Sequence, residues 1–249
     1  MSKMKTTQFV LAALLAGAAA PPARAQSSGD GFLFHQPVAR IGVRGGYSVA
    51  TAGSDLFDFA TENLTLSRSD FSGLTLGGSV DFTITRQLTF GADVGYSRSS
   101  KRSEFRKLID NNNLPIEQTT AFERIPVTAN FKYFLSPPGQ TVGHAAWIPA
   151  RVTPWLGAGA GVMHYRFKQD GDFVDFQTNN VFRGEFDSSD WAPVVQGLAG
   201  AEFTITPSVA LTGEARYLWA RGELGRDFGG FNKIDLSGAA ASIGLAFRL

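Results

Sequence analysis

From Ile41 to Val49 the odd positions are Ile41, Val43, Gly45, Tyr47 and Val49, while the even positions from 40 to 48 are Arg40, Gly42, Arg44, Gly46 and Ser48. One face is apolar and the other small or charged. The same split returns in Leu74, Leu76, Gly78, Val80 and Phe82 against Thr75, Gly77, Ser79, Asp81 and Thr83, and in Leu88, Phe90, Ala92, Val94 and Tyr96 against Thr89, Gly91, Asp93, Gly95 and Ser97. Ile125, Val127, Ala129, Phe131 and Tyr133 repeat it against Arg124, Thr128, Asn130 and Lys132, with Pro126 marking an irregularity. Period two is the signature of a strand whose two faces meet different surroundings. Further segments at 155–167, 191–205, 209–221 and 237–249 bring the count to about eight strands of roughly 10–14 residues, longer than the roughly 5–6 usual in soluble sheets. No amphipathic helix of comparable quality competes, so the chain reads as all-β.

Composition narrows the classes. The 249 residues are 43% hydrophobic and 18% charged, with 28 Gly, 21 Phe and no Cys. That excludes a disordered polyelectrolyte and removes disulfides, thiolate nucleophiles, zinc clusters and lipoprotein anchoring together. A formal charge of +1 provides no drive toward nucleic acid.

The first segment reads as an export leader. Lys3 and Lys5 precede an apolar run from Phe9 to Ala20, Pro21-Pro22 follows, and Ala23-Arg24-Ala25 has the small-x-small pattern of a signal-peptidase site. A membrane anchor needs roughly 18 or more apolar residues, and this run is shorter. The expected division is a cleaved signal peptide at 1–25, a lead-in at 26–37 and one β domain at 38–249. Loss of Lys3, Lys5 and Arg24 from 23 basic residues leaves 20 against 22 acidic ones, a formal charge of −2. An exported chain without an apolar helix is periplasmic, secreted or inserted in a membrane as strands.

Which way the apolar face points separates a soluble β-barrel from a membrane one. In a soluble barrel the exterior is rich in Lys and Glu; in a membrane barrel the apolar face meets lipid and the small face lines a crowded lumen. Here the non-apolar face is Gly, Ser, Thr and Ala with occasional charges, which suits an interior. Tyr47, Tyr96, Tyr133, Trp155, Tyr165, Trp191, Phe203, Tyr217 and Trp219 are the candidates for aromatic girdles at the membrane edges. Trp155 and Tyr165 are ten residues apart, and ten residues at about 3.3 Å each and a tilt near 40° rise roughly 25 Å, the height of the apolar band. Connections support the same reading: tight turns at Thr85-Arg86-Gln87 and Thr206-Pro207-Ser208, long polar ones at 51–62, 99–121, 168–190 and 222–235. The segment 136–149 falls where a short turn is expected, and its Pro and Trp content suggests a folded-over loop at the membrane edge. The expected fold is an antiparallel up-and-down transmembrane β-barrel with long extracellular loops and mostly short periplasmic turns.

At the carboxyl end Ala241, Ile243, Leu245, Phe247 and Leu249 form one apolar face. A last strand of this kind resembles the insertion signal of bacterial outer-membrane proteins, carried here by Ile243, Leu245, Phe247 and Leu249, although the final residue is Leu rather than an aromatic. The run Thr153-Pro154-Trp155-Leu156-Gly157-Ala158-Gly159-Ala160-Gly161-Val162 resembles a strand common in small barrels of the OmpA-like and OmpW-like outer-membrane superfamily. The resemblance spans about 38–249 and implies a fold and an address: the cell outer membrane, with its lipid and lipopolysaccharide as surroundings, and the barrel-assembly machinery as partner during insertion. It does not imply a reaction. The peptidoglycan-binding domain that some OmpA-type proteins carry is not expected.

Motifs of catalysis are missing from the pattern. Glycines 157, 159 and 161 lie within a strand pattern rather than at the strand-to-helix turn of a dinucleotide site. There is no Gly-x-Ser-x-Gly elbow and no Walker loop. His164 is the one histidine within a strand, sharing a face with Leu156, Ala158 and Ala160; an inward position and a lumenal hydrogen bond are expected. Asp170, Asp172 and Asp175, read as loop, lack the spacing of a calcium loop. Some similar barrels modify lipid A or cleave proteins, but no matching motif occurs, so no cofactor, metal or enzymatic activity is expected.

The lumenal charges carry more. The parity places Arg40, Arg44, Arg124, Lys132 and Arg216 inside with Asp81, Asp93, Glu202 and Glu214. About eight strands enclose an interior that side chains nearly fill, so these charges must pair or carry water. The expectation is a salt-bridged plug in a structural or surface-interacting barrel. The alternative is an OmpW-like conduit for small apolar or amphipathic molecules, with Leu56, Phe57 and Phe59 as an entry lip.

Overall fold

The computed structural model describes residues 31–109, 113–143, 146–175 and 180–249. The expected leader lies outside them. Eight long antiparallel strands close into a ring: β1 (Ala39–Ala50), β2 (Gly73–Thr83), β3 (Leu88–Ile109), β4 (Pro115–Phe134), β7 (Val152–Val174), β8 (Val181–Thr206), β9 (Val209–Gly222) and β11 (Gly238–Arg248). Closure comes from the last strand pairing with the first, from Arg40 opposite Arg248 to Ala50 opposite Gly238. No edge is left around the ring.

The side chains are inverted relative to a soluble protein. Val43, Leu74, Leu76, Phe131, Leu156 and Ile243 are each more than half exposed, while Arg40, Asp81, Asp93, Arg124, Glu202 and Arg248 are buried. Such an arrangement is stable only where the outer face meets hydrocarbon. Glycines on the inner face make the charged interior fit. A Cβ on Gly77 would come within 2.6 Å of Arg44 Nη2, and one on Gly159 would overlap Asn130.

Four adjacent strands are much longer than the rest. β3, β4, β7 and β8 have 22, 20, 23 and 26 residues, against 12, 11, 14 and 11 for β1, β2, β9 and β11. They stay paired as far as Val174 opposite Val181 and form a wall on one side of the barrel. From Trp191 to the top of β8 is ten residues, roughly 25 Å above the lipid band. The expected loops 99–121 and 168–190 are therefore mostly strand, and Asp170 and Asp172 belong to β7. Above the bilayer water bathes the wall's outer face, so hydropathy no longer alternates there.

Two connections carry structure of their own. Between β1 and β2 lies a short helix, α1 (Asp55–Asn63), whose Leu56, Phe57 and Ala60 are buried. It is an amphipathic helix that was not expected. On the opposite side of the barrel the segment 136–149 forms a hairpin of β5 (Gly139–Val142) and β6 (Ala146–Pro149). It is tied to the amino-terminal segment by reciprocal backbone hydrogen bonds between Leu33 and Trp147, at 2.9 and 2.7 Å. Trp147 is buried beneath the barrel with Arg248 over its ring at 5.8 Å.

Candidate functional site: the lumen

The lumen is filled in three storeys. At the periplasmic end Lys132 Nζ lies 2.9 Å from Asp81 Oδ2, and Glu202 takes Arg248 at 3.1 Å and Arg40 at 3.9 Å. Aromatics stack on these cations: Phe134 on Arg40 at 4.9 Å and Trp155 on Lys132 at 5.1 Å. Each contact partly replaces the hydration a buried cation loses.

The middle storey centres on Asp93. Arg44 donates to both its oxygens, at 2.6 and 2.8 Å, and Arg216 Nη1 donates to Oδ1 at 3.0 Å. Glu214 Oε1 accepts from Arg216 Nε at 2.8 Å and lies 3.7 Å from Arg44 Nε. Two acids and two guanidinium groups make a neutral ring. Gln196 extends it, accepting from Arg216 at 3.4 Å and donating to Thr128 at 2.8 Å and Asn130 at 2.6 Å.

Arg124 stands above this ring and hydrogen-bonds to no carboxylate, with Asp235 acting on it only at longer range. Its Nη1 donates to the carbonyls of Leu236 and Ser237, at 3.1 and 3.3 Å, and its Nη2 to Ser48 Oγ at 2.8 Å. The third storey is apolar. Phe57 of α1 packs edge-to-face on Phe71, Phe122 and Phe167 at 4.6, 5.5 and 5.7 Å, and Leu56, Tyr165, Phe228, Ile234 and Leu236 complete the cluster. The first loop thus turns Leu56 and Phe57 into the barrel, whereas Phe59 stays partly exposed against Phe231.

Several sequence expectations need correction. Trp155 and Tyr165 face inward, at 4% and 0% exposure, and are not part of an outer girdle. They share the inner face of β7 with Gly157, Gly159 and Gly161: the glycines make room at mid-height, and the aromatics fill the ends. Tyr165 donates to the carbonyl of Glu223, and Gly200 leaves space for the Trp155 ring. His164 consequently faces outward, edge-on to Trp191 at 5.2 Å. Tyr47, Tyr96, Tyr133, Trp191, Phe203 and Trp219 are exposed on the outer face, with Tyr217 packed at a tilt against Trp219, ring centroids 4.6 Å apart.

Arg248, Gln196 and Asp235 were missed as lumenal residues. Arg248 follows directly from the parity of the last strand, since odd residues outward put it inside. Asp235 sits in a two-residue strand, β10 (Ile234–Asp235), paired with Gly222 and Arg221 of β9 and too short for any periodicity to locate it. Among the described residues no cluster of His, Asp or Glu is arranged to hold a metal ion.

A closed barrel with lipid-compatible walls and a charged, crowded interior defines an integral outer-membrane protein. The chain belongs to the outer membrane protein β-barrel domain family, whose model matches residues 9–248. No curated protein matches the sequence. Solved structures similar to it include Neisserial surface protein A, at 16% identity over 85% of this chain and 96% of that one with a TM-score of 0.48. OprG of Pseudomonas aeruginosa matches at 13% identity over 86% and 97%, with a TM-score of 0.44. Ail of Yersinia pestis matches at 11% over 86% and 100%, also at 0.44.

Proposed function

We propose that this barrel is a non-enzymatic envelope protein with a closed lumen and a structural or surface-interaction role. The observation that carries closure is the Arg44–Asp93–Arg216–Glu214 ring, which spans the interior at mid-height. Opening a path through it would expose buried charges whose partners are each other. The apolar cluster around Phe57 is a second seal above it, since ions do not cross a dry apolar layer without large cost. Leu56 and Phe57, candidates for an entry lip, are packed within that seal, which favours closure over a conduit. His164, turned toward Trp191, lies apart from the inward carboxylates, which supports a non-catalytic role.

The wall formed by β3, β4, β7 and β8 is the part that extends farthest outward, and it is the surface offered to outside partners. Its outer face bears cross-strand pairs such as Arg166 with Asp187 at 2.9 Å and Lys168 with Glu185 at 3.0 Å. Outer-membrane lipid and lipopolysaccharide surround the lower part, and the outward Ile243, Leu245, Phe247 and Leu249 of the last strand are the segment presented to the assembly machinery. Residues 1–25 are the cleaved leader.

Planar-bilayer conductance tests closure. The unmodified barrel is expected to be silent, and Arg216→Ala combined with Phe57→Ala, which breaches both seals, is expected to open transiently. Large steady currents from the unmodified protein would sink this reading and favour a channel.

A further inference from the structure

The lumen contains two cavities that differ in charge. The lower, about 40 Å³, is bordered by Arg40, Arg44 and Lys132 but also by Asp81, Glu202 and Glu214. The upper, about 30 Å³, is bordered by Arg44, Arg124 and Arg216 and by no carboxylate. About 10–15 Å³ suffices for one water. The upper cavity therefore has room for two waters or one ion of halide size, and is too small for a sulfate or phosphate with its hydration.

Arg44 and Arg216 are neutralised from below by Asp93 and Glu214. Arg124 is not. It is 4% exposed, and its partners are two carbonyls and a hydroxyl, none of which carries a countercharge. Asp235 is turned to the backbone N–H groups of Gly53 and Ser237, each at 3.0 Å. Among the described residues no carboxylate lies within the 4.0 Å ion-pair distance of Arg124. The Ser48 hydroxyl accepts from Arg124 and keeps its own proton to donate, and Ser97 and Ser242 border the same space. A buried cation, two neighbouring guanidinium groups and hydroxyl donors around a small cavity are the surroundings a desolvated anion requires.

We propose that the upper cavity binds one small monovalent anion of halide size, with Arg124 as its principal charge and Ser48 as a hydroxyl donor. The ion gives Arg124 a direct anionic contact between the polar ring below and the apolar cluster above. This goes beyond closure of the lumen and does not depend on it.

Bromide is the probe. Crystals of the folded barrel soaked in sodium bromide should show an anomalous peak in the cavity against the Arg124 guanidinium. The heat-unfolding midpoint, read by gel mobility at constant ionic strength, should rise as gluconate is replaced by chloride or bromide, because a ligand bound only by the folded state stabilises it. Arg124→Gln should abolish that halide dependence; Ser48→Val, which keeps the charge, should shift it to several-fold higher halide concentration and serves if the first variant does not fold. No peak at saturating bromide would overturn the proposal. So would a peak accompanied by identical midpoints in halide and gluconate, which marks an adventitious ion only. Steady current from a barrel that still shows the halide effect would remove the closure reading and leave this one standing.

Discussion

Asp93 takes both terminal nitrogens of Arg44, Nη1 on Oδ2 at 2.6 Å and Nη2 on Oδ1 at 2.8 Å, bridging β3 to β1 over the intervening β2. A bidentate pair of this kind is geometrically demanding, and it is nearly sealed from solvent, with the Asp93 side chain 3% exposed. It organises the middle storey because the same carboxylate also serves Arg216.

Replacing Asp93 by Ala should destabilise the barrel by about 3–5 kcal/mol, because it strands two guanidinium groups on Glu214 alone. Removing Glu117, whose partner Arg102 is on the exposed outer wall, should cost at most about 1 kcal/mol. Urea unfolding of both variants from lipid vesicles measures the contrast. Equal losses would mean that the lumenal pairs are as well solvated as surface ones.

Phe57 is fully buried at the centre of the upper cluster, and Phe59, two residues along α1, is 37% exposed. Phe57→Ala should cost about 3–5 kcal/mol of local stability and free the first loop, since the cavity left behind is ringed by three aromatic side chains. Phe59→Ala should change it by less than about 1 kcal/mol. Limited proteolysis within residues 51–72 reads the difference, with rapid cleavage expected only in the Phe57 variant.

These residues also mark what alternation could and could not disclose. Period two located the lipid-spanning parts of all eight long strands, because lipid and lumen impose opposite demands on Val43 and Arg44, or on Phe131 and Lys132. It failed for β7 when aromatics were weighed above glycines. Tryptophan and tyrosine suit both a membrane edge and a lumen end, whereas Gly157, Gly159 and Gly161 have space only inside. It failed again in the upper wall, where water reaches the outer face and Glu104, Glu117 and Arg183 follow no apolar stripe. The apolar storey was invisible for another reason: Leu56, Phe57 and Ala60 make one helical contact patch only after the loop has folded back into the barrel.

Acid should loosen the contact between the first and last extracellular loops. Asp55 accepts from the backbone N–H of Asn232 at 2.9 Å and from its side chain at 2.8 Å, and also from the Leu56 N–H at 2.9 Å. The Asn232 backbone contact foremost holds its carboxyl below the usual carboxylate range. A depressed folded-state value means that the stabilisation is present above the unfolded value, about 3.9, and disappears as pH falls through the folded one. Hydrogen exchange at Asn232 should therefore accelerate, relative to the intrinsic rate, as pH falls below about 4 in the wild type. Asp55→Asn should abolish that pH step; if the step persists in the variant, the linkage belongs to another group.

The height of the lipid band can be tested with one substitution at two levels. Ile243, 66% exposed midway along β11, faces the hydrocarbon, while Ile109, 62% exposed at the top of β3, stands on the wall in water. Their accessibilities are nearly equal, so only the surrounding medium distinguishes them. Ile243→Arg should cost about 2–4 kcal/mol, the penalty for a guanidinium near the bilayer midplane. Ile109→Arg should stay within about 0.5 kcal/mol, as expected of an exposed position in water. Folding equilibria in vesicles measure both. A comparable penalty at Ile109 would place the top of β3 inside the bilayer and shorten the wall that the long strands build above it.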